Sequence, residues 1–463
     1  MIDLLVKNAR YLITMDEQRR IFQHGALAVD GDRILAVGGT VEIEKRFPAA
    51  HETLDAEGGV VTPGFVNTHI HTTTHFGRGL GDNLSLPVLL HERLFPLEAS
   101  LSEEETYVAA ACSLLETVRF GTTCVCDPGA QKPEAVVRAV RDIGLRAVLT
   151  RSLTDMGGGR SLPGSFDSTT EDAVSSGEAF VKEFHGSDHG RIRAWFSLRT
   201  ERMVSDELCR TIAELARKYK VGISSHMCAT EDSIEQHKKV FSGQRPIERY
   251  ASNGLLGPNL LLIHCHWLEP DEWDLMAAHG VKVIDCPTTS IVLGYGGLPR
   301  ATHMELLKRG VCVALGTDHS ACSNTHDLLR VAQYFRAYQD ILMDPGAVTA
   351  ELILELLTIN GARSLLWENE IGSLEVGKRA DLIVFDTKRP EWIPLHNPVS
   401  NIGHAVSGDS VKTVIVDGRV ILRNGIFVSI DAEALLQRGQ ELAERVASRL
   451  GLDRYARPAW PVL

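Results

Sequence analysis

The sequence predicts a (β/α)8 barrel joined to a small composite β-sandwich built from both termini. Three observations carry this. Short apolar runs alternate with longer amphipathic ones through the middle of the chain, the strand-like runs there number eight, and both ends instead alternate apolar and polar residues around Asp-Gly turns. Eight strands alternating with helices over roughly 300 residues is the pattern of a closed parallel barrel. A doubly wound open sheet gives similar alternation, but the count of eight favours closure.

At the start, "DLLVKNARYLITMD" and "GALAVDGDRILAVGG" have the period-two pattern of β-hairpins. The barrel strands follow as "FVNTHIH" (65–71), "TCVCD" (123–127), "RAVLTRS" (146–152), "IRAWFSL" (192–198), "VGISSHM" (221–227), "LLLIHCH" (260–266), "VKVIDCP" (281–287) and "VCVALGTD" (311–318). Between them stand helix candidates such as "EEETYVAAACSLLETVRFG", "KPEAVVRAVRDIG", "DELCRTIAELARKY" and "DEWDLMAAHG", several closed by Gly as helices often are. Near the other end, "ADLIVFD" and "VKTVIVDGRVILRNG" return to hairpin patterning. Neither terminal segment has enough apolar surface to stand alone, so the two are expected to bury their faces against each other. The expected organisation is 1–62 and 372–430 in the sandwich, 63–371 in the barrel, and a helical extension over 431–463 containing "DAEALLQRGQELAERVASRL".

Composition excludes several classes of function. The 463 residues are 44% hydrophobic and 23% charged, as in an ordinary soluble globular protein. A net charge of −12 argues against nucleic acid and anionic membrane as partners, since both attract basic surfaces. Apolar runs such as "NLLLI" are far too short to span a bilayer, and the first residues show no signal-peptide pattern. The nine cysteines lack CxxC spacing, so neither a disulfide framework nor a zinc ribbon is indicated, and a reducing cytoplasm is the expected compartment.

The chemistry concentrates at predicted strand ends. An HxH pair is weak evidence alone in a chain with 18 His, and a second pair, His264 and His266, is present. Position strengthens the first pair. His69 and His71 end the first predicted strand, where residues i and i+2 share a side. His226 ends the fifth, His264 lies near the end of the sixth, and Asp318 ends the eighth. In a barrel of this type the C-terminal strand ends form the active-site face, so these groups converge. Neutral imidazoles with one carboxylate suit Zn²⁺, with Fe²⁺, Mn²⁺ or Co²⁺ as chemical alternatives. A water completing such a shell has its pKa lowered to about 7, which makes hydroxide available at neutral pH.

"PGFVNTHIH", "SSHM", "LIHCHW", "GTDHSACSN", "TINGARSL" and "IGSLEVGKRADLIVFD" together resemble the amidohydrolase superfamily, in its cytosine-deaminase-like branch of triazine chlorohydrolases, aminohydrolases and purine-type deaminases. The resemblance runs to about residue 425. It implies one divalent metal held by His69, His71, His226 and Asp318. It further implies that His264 meets the activated water or the developing oxyanion, and that Asp318 takes the water's proton to the leaving group. No metal-bridging lysine ends the fourth strand, where "WFSLRTERM" offers Arg199, so a mononuclear site is expected. A small-molecule substrate and a homo-oligomeric assembly are expected on the same resemblance.

Two departures fall on the substrate side. Ring deaminases and dechlorinases of the branch carry HxxE after the fifth strand, the glutamate protonating a ring nitrogen. Here "HMCATED" puts Ala229 at that spacing, with Glu231 and Asp232 beyond it. Either Glu231 takes the acid role, or the substrate needs no such acid. Likewise "CPTTSIVLG" puts Ser290 where the branch usually has Asn. A urea, carbamate or amide carbonyl needs no ring protonation, and relatives hydrolysing phenylureas and thiocarbamates occur in this branch. The expected function is therefore hydrolysis of a C–N or carbamoyl bond in a small hydrophobic molecule. Deamination or dechlorination of an aromatic N-heterocycle is the alternative. A catalytically silent barrel is the third reading, opposed by the intact set of ligands.

Arg199 either hydrogen-bonds the substrate or forms a structural ion pair with Glu201 or another carboxylate. His319 is expected to border the site, His266 to stand behind it, and His75 either to line the pocket or to lie at the surface. The apolar "LPVLLHERLFP" (86–96) either covers a hydrophobic substrate or packs on the barrel.

Overall fold

Eight parallel strands lie side by side in chain order: β1 (Phe65–Asn67), β2 (Thr122–Ala130), β3 (Arg146–Leu153), β4 (Ile192–Thr200), β5 (Ile223–Met227), β6 (Leu260–His264), β7 (Lys282–Asp285) and β8 (Cys312–Leu315). The structure, a computed structural model, describes residues 1–157, 166, 168–295, 300–456 and 460. Parallel strands covered on both faces bury nearly every side chain, which is why β6 reads as an almost unbroken apolar run. The last strand returns to the first. Thr68 N donates to Leu315 O (3.3 Å), Asp318 N donates to His69 O (2.9 Å), and Ile70–His71 pairs in parallel with Asp318–His319. This is the predicted barrel, with the first predicted strand broken into Phe65–Asn67 and Ile70–His71.

Local signals explain the helices around it. Helix Glu103–Arg119 begins with a capping box: Ser102 Oγ accepts from Glu105 N, and the Glu105 carboxylate accepts from Ser102 N. Helix Pro133–Ile143 has Pro in its first turn and stops at Gly144, whose φ of 89° suits glycine. Helix Ala432–Arg449 buries Leu442 and Val446 against Val108, Ala109 and Cys112 of Glu103–Arg119, and Arg449 pairs with Glu105. It therefore packs on the barrel's outer layer. No helix among the described residues is long and apolar enough to cross a membrane.

The terminal segments form one nine-stranded sheet in which both ends interleave. Leu382–Phe385 pairs antiparallel with Val60–Pro63, and Val60–Pro63 pairs in turn with Ile2–Ile13. Leu4, Val29 and Ile34 from the first segment share a core with Leu382, Val384 and Ile415 from the last. The expected sandwich is thus a single sheet to which both termini contribute strands and a shared apolar cluster. Arg146 of β3 locks it to the barrel. Its side chain is fully buried, donates to both carboxylate oxygens of Asp381 (2.8 and 3.1 Å), and is also bonded to Asp417.

Candidate metal centre and substrate cavity

The four predicted ligands meet at the C-terminal mouth of the barrel. His69 Nε2 lies 3.3 Å and His71 Nε2 3.6 Å from Asp318 Oδ1, and the Nε2 atoms of His71 and His226 are 3.3 Å apart. His69, His71 and Asp318 are no more than 2% exposed. His69 Nε2 and Asp318 Oδ1 are buried without a hydrogen-bond partner. Imidazole and carboxylate atoms that converge in a buried cluster with hydrogen-bonding capacity unused are costly unless a cation satisfies them, so the donor set fits a divalent metal. Burial, and then the neighbouring His319, His69 and Arg199 charges, holds the His71 imidazole well below the usual histidine range. Burial and His69 do the same for His226. Neutral imidazoles are the ligand form. His264 stands beside the cluster, its Nε2 4.0 Å from Asp318 Oδ2, and burial pushes its pKa down to about 4.

Neighbouring groups orient each ligand. His226 Nδ1 donates to the Arg199 carbonyl (2.7 Å), which fixes the tautomer and leaves Nε2 free to ligate. Asp127, within β2, accepts from Thr72 N (3.1 Å) and Thr72 Oγ1 (2.5 Å), pinning the residue after His71. His303 Nε2 donates to the His264 carbonyl (2.6 Å), where His264 holds a φ of 78°. Glycine at 316 is a requirement of close approach: a Cβ there would lie 2.7 Å from His69 Cβ and 2.9 Å from His69 O. His319 stacks on His71 with ring centroids 3.7 Å apart.

A cavity of about 690 Å³, measured with its mouth, opens over this cluster. His226, His264, Asp318 and His319 form its floor, while Leu86, Leu89, Leu90, Phe95, Leu293 and Tyr295 make much of its wall. The apolar stretch 86–96 thus supplies the cover as well as packing, since Leu89 and Leu94 also contact Ala321 and Cys322. Arg199 enters the cavity between Phe95 and Phe166, its guanidinium 5.4 and 5.5 Å from the two rings. Its partner is Glu98, not Glu201, at 3.3 Å.

Several expected residues stand elsewhere. Glu231 is exposed in the first turn of helix Glu231–Val240, outside the cavity lining, because Thr230 caps that helix and starts it immediately after Ala229. Ser290 is fully buried behind the site, where its hydroxyl lies 2.6 Å from His266 Nε2 and donates to Cys286 O. It therefore supports His266 and does not line the cavity. His75 lines a separate cavity beside helix Ala432–Arg449 and lies near Glu116 and His326. Sequence reasoning missed Glu98, Asp127, Cys286 and His303. It noticed Glu201 only as a possible salt-bridge partner. Glu201 and Cys286 sit just beyond the ends of β4 and β7, and Asp127 ends the second strand as the sequence predicts it, so the rule that picked out the candidate ligands also points to them.

Residues 60–421 match the model of the amidohydrolase family, and residues 25–50 match that of an imidazolonepropionase-like composite domain of bacteria. The chain is 31% identical over 449 residues to the 5'-deoxyadenosine deaminase of Methanobrevibacter smithii, covering 96% of this chain and 98% of that enzyme. An adenosine deaminase from Xanthomonas campestris, solved with bound zinc, superposes with a TM-score of 0.88 at 27% identity over 96% of this chain and 99% of its own. Atrazine chlorohydrolase from Arthrobacter aurescens, solved with zinc, shares the fold at a TM-score of 0.85 and 22% identity, over 95% of this chain and 100% of that one.

Proposed function

The chain belongs to the amidohydrolase family and is a hydrolase of carbon–nitrogen bonds other than peptide bonds, and from that premise we propose that it cleaves the C–N or carbamoyl bond of a small apolar urea, carbamate or amide. Ala229 carries this reading. By the spacing from His226 it stands where the branch carries a ring-protonating glutamate, it lines the cavity, and Glu231 is exposed outside it. Without an acid at that place, attack on an aromatic ring carbon lacks its usual assistance, whereas a carbonyl is already electrophilic. The apolar wall suits a hydrophobic substrate.

His69, His71, His226 and Asp318 would hold one divalent ion, zinc by preference with iron, cobalt or manganese as alternatives, which supplies an activated water and polarises the carbonyl. Asp318 accepts a proton from the attacking water. His264 faces the oxygen on which negative charge develops, and its neutral imidazole donates a hydrogen bond there. The Leu86–Leu90 cover and Phe95 exclude bulk water, which strengthens both interactions. Arg199, neutralised by Glu98, offers a donor to a neutral acceptor better than a charge to an anion. A homo-oligomer in the cytoplasm completes the reading.

Ring deamination is the second reading, favoured by deaminase relatives that align over nearly the whole chain. Glu231→Gln separates one form of it. We expect Glu231→Gln to keep activity within about twofold, as for an exposed residue outside the site. Loss of ammonia release from an aminated heterocycle, with protein yield unchanged, would instead make Glu231 the relocated acid.

A further inference from the structure

We infer that Glu201 is a catalytic residue, donating the proton that the departing nitrogen needs as the C–N bond breaks. The inference deepens the carbonyl-hydrolase reading and rests on it. Glu201 directly follows β4 and lines the same cavity as His226, His264 and Asp318, beside Ala229 and Ser233. A carboxyl on the neighbouring strand end thus stands next to the place that Ala229 leaves without one. Glu201 is 3% exposed and forms no ion pair among the described residues. Arg202, whose charge it feels, is bonded instead to Gln236.

The backbone around Glu201 is held firmly. Buried Arg249 donates from Nη1 to Glu201 O (2.8 Å) and from Nη2 to Val204 O (2.7 Å), and the Thr200 hydroxyl donates to Glu201 Oε2 (3.1 Å). Burial raises the carboxyl's pKa above the usual glutamate value, more than Arg202 and the hydrogen bonds lower it. That favours the protonated, donating form. Among the described residues the carboxyl has the Thr200 and Ser233 hydroxyls as hydrogen-bond partners and no paired cation, which suits a group that holds a proton.

The water oxygen bonds to the carbonyl carbon and one water proton passes to Asp318. Collapse of the adduct breaks the C–N bond with its electron pair going to nitrogen, and the Glu201 O–H supplies the proton that completes the amine. The proton on Asp318 then reloads Glu201 through solvent, so one water is consumed and both carboxyls return to their starting states.

The test is leaving-group dependence. Wild type and Glu201→Gln, each reconstituted with zinc and checked for metal content and thermal midpoint, are assayed on N-substituted ureas and carbamates whose amines run from 4-nitroaniline to simple alkylamines. A lost general acid costs most where the amine is most basic, so we expect Glu201→Gln to lose on the order of 10²-fold in kcat/KM with alkylamines and less than about threefold with 4-nitroaniline. Equal loss across the series would overturn the inference, because a structural defect does not read amine basicity. Should Glu201→Gln fail to fold or to bind metal, Glu201→Asp, with its acid drawn back by one methylene, is read in the same way. A steeper dependence than wild type supports the role, and a parallel one overturns it. Wild type inert on the whole series would overturn the carbonyl reading itself, an outcome distinct from an active wild type with an indifferent variant.

Discussion

His69→Asn is expected to purify with the fold of the wild type but without its metal, and to lose activity on the order of 10³-fold or more, the several kcal/mol of Lewis-acid assistance that the ion supplies. The fold survives because His69 Nε2 bonds to nothing in the protein. Asparagine keeps the Cβ that His69 already places beside Gly316, so the close approach there is unchanged. Metal analysis of the purified variant beside wild type, with circular dichroism, checks both halves. A metal-loaded and active His69→Asn enzyme would remove His69 from the ligand set and leave the imidazole cluster without its explanation.

Arg146→Ala is the largest expected loss of stability. The guanidinium is fully buried between barrel and sheet, bonded to Asp381 and Asp417 and lying 5.2 Å from the Trp367 ring. Removing it leaves buried Asp381 without its cation and Asp417 with only Arg379 and Arg191, at 3.3 and 3.8 Å, and about 3–5 kcal/mol is typical for a broken buried pair. Arg379 also reaches Asp417 but lies 3.3 Å from it, and it does not replace the bidentate contact to Asp381. Denaturant unfolding of metal-free wild type and variant measures the difference without interference from ligand binding. A loss below about 1 kcal/mol would mean that water reaches the two carboxylates once the arginine is gone.

Much of the fold was legible because barrel strands are buried on both faces and announce themselves as apolar runs at regular intervals. The clustering of the candidate ligands was legible for a related reason: His69, His71, His226 and Asp318 fall at strand ends, and the barrel brings strand ends together. What was not legible depends on side-chain direction. Glu231 looked available in the sequence, yet one capping interaction at Thr230 turns the chain into a helix and sends Glu231 to solvent. Ser290 looked like a substrate contact, yet its helix turns its hydroxyl back toward His266. Arg199 was foreseen near a carboxylate, but its partner Glu98 comes from the loop after β1, about a hundred residues away, a pairing no local pattern encodes. Glu201 was read only as a possible ion-pair partner of Arg199, whereas it is buried and its main chain is held by Arg249, a contact from 48 residues away that no local pattern encodes.

The central claim is that a metal amidohydrolase with Ala229 in place of the ring acid works on a carbonyl. Its most direct test is identification of the leaving group by mass spectrometry, using zinc- or cobalt-reconstituted enzyme. The panel pairs aminated and chlorinated heterocycles with N-aryl ureas, carbamates and thiocarbamates. Release of an aniline, alkylamine or thiol from the carbonyl compounds, with the heterocycles untouched, is the predicted result. Ammonia or chloride released from a ring, with the carbonyl compounds intact, would contradict it.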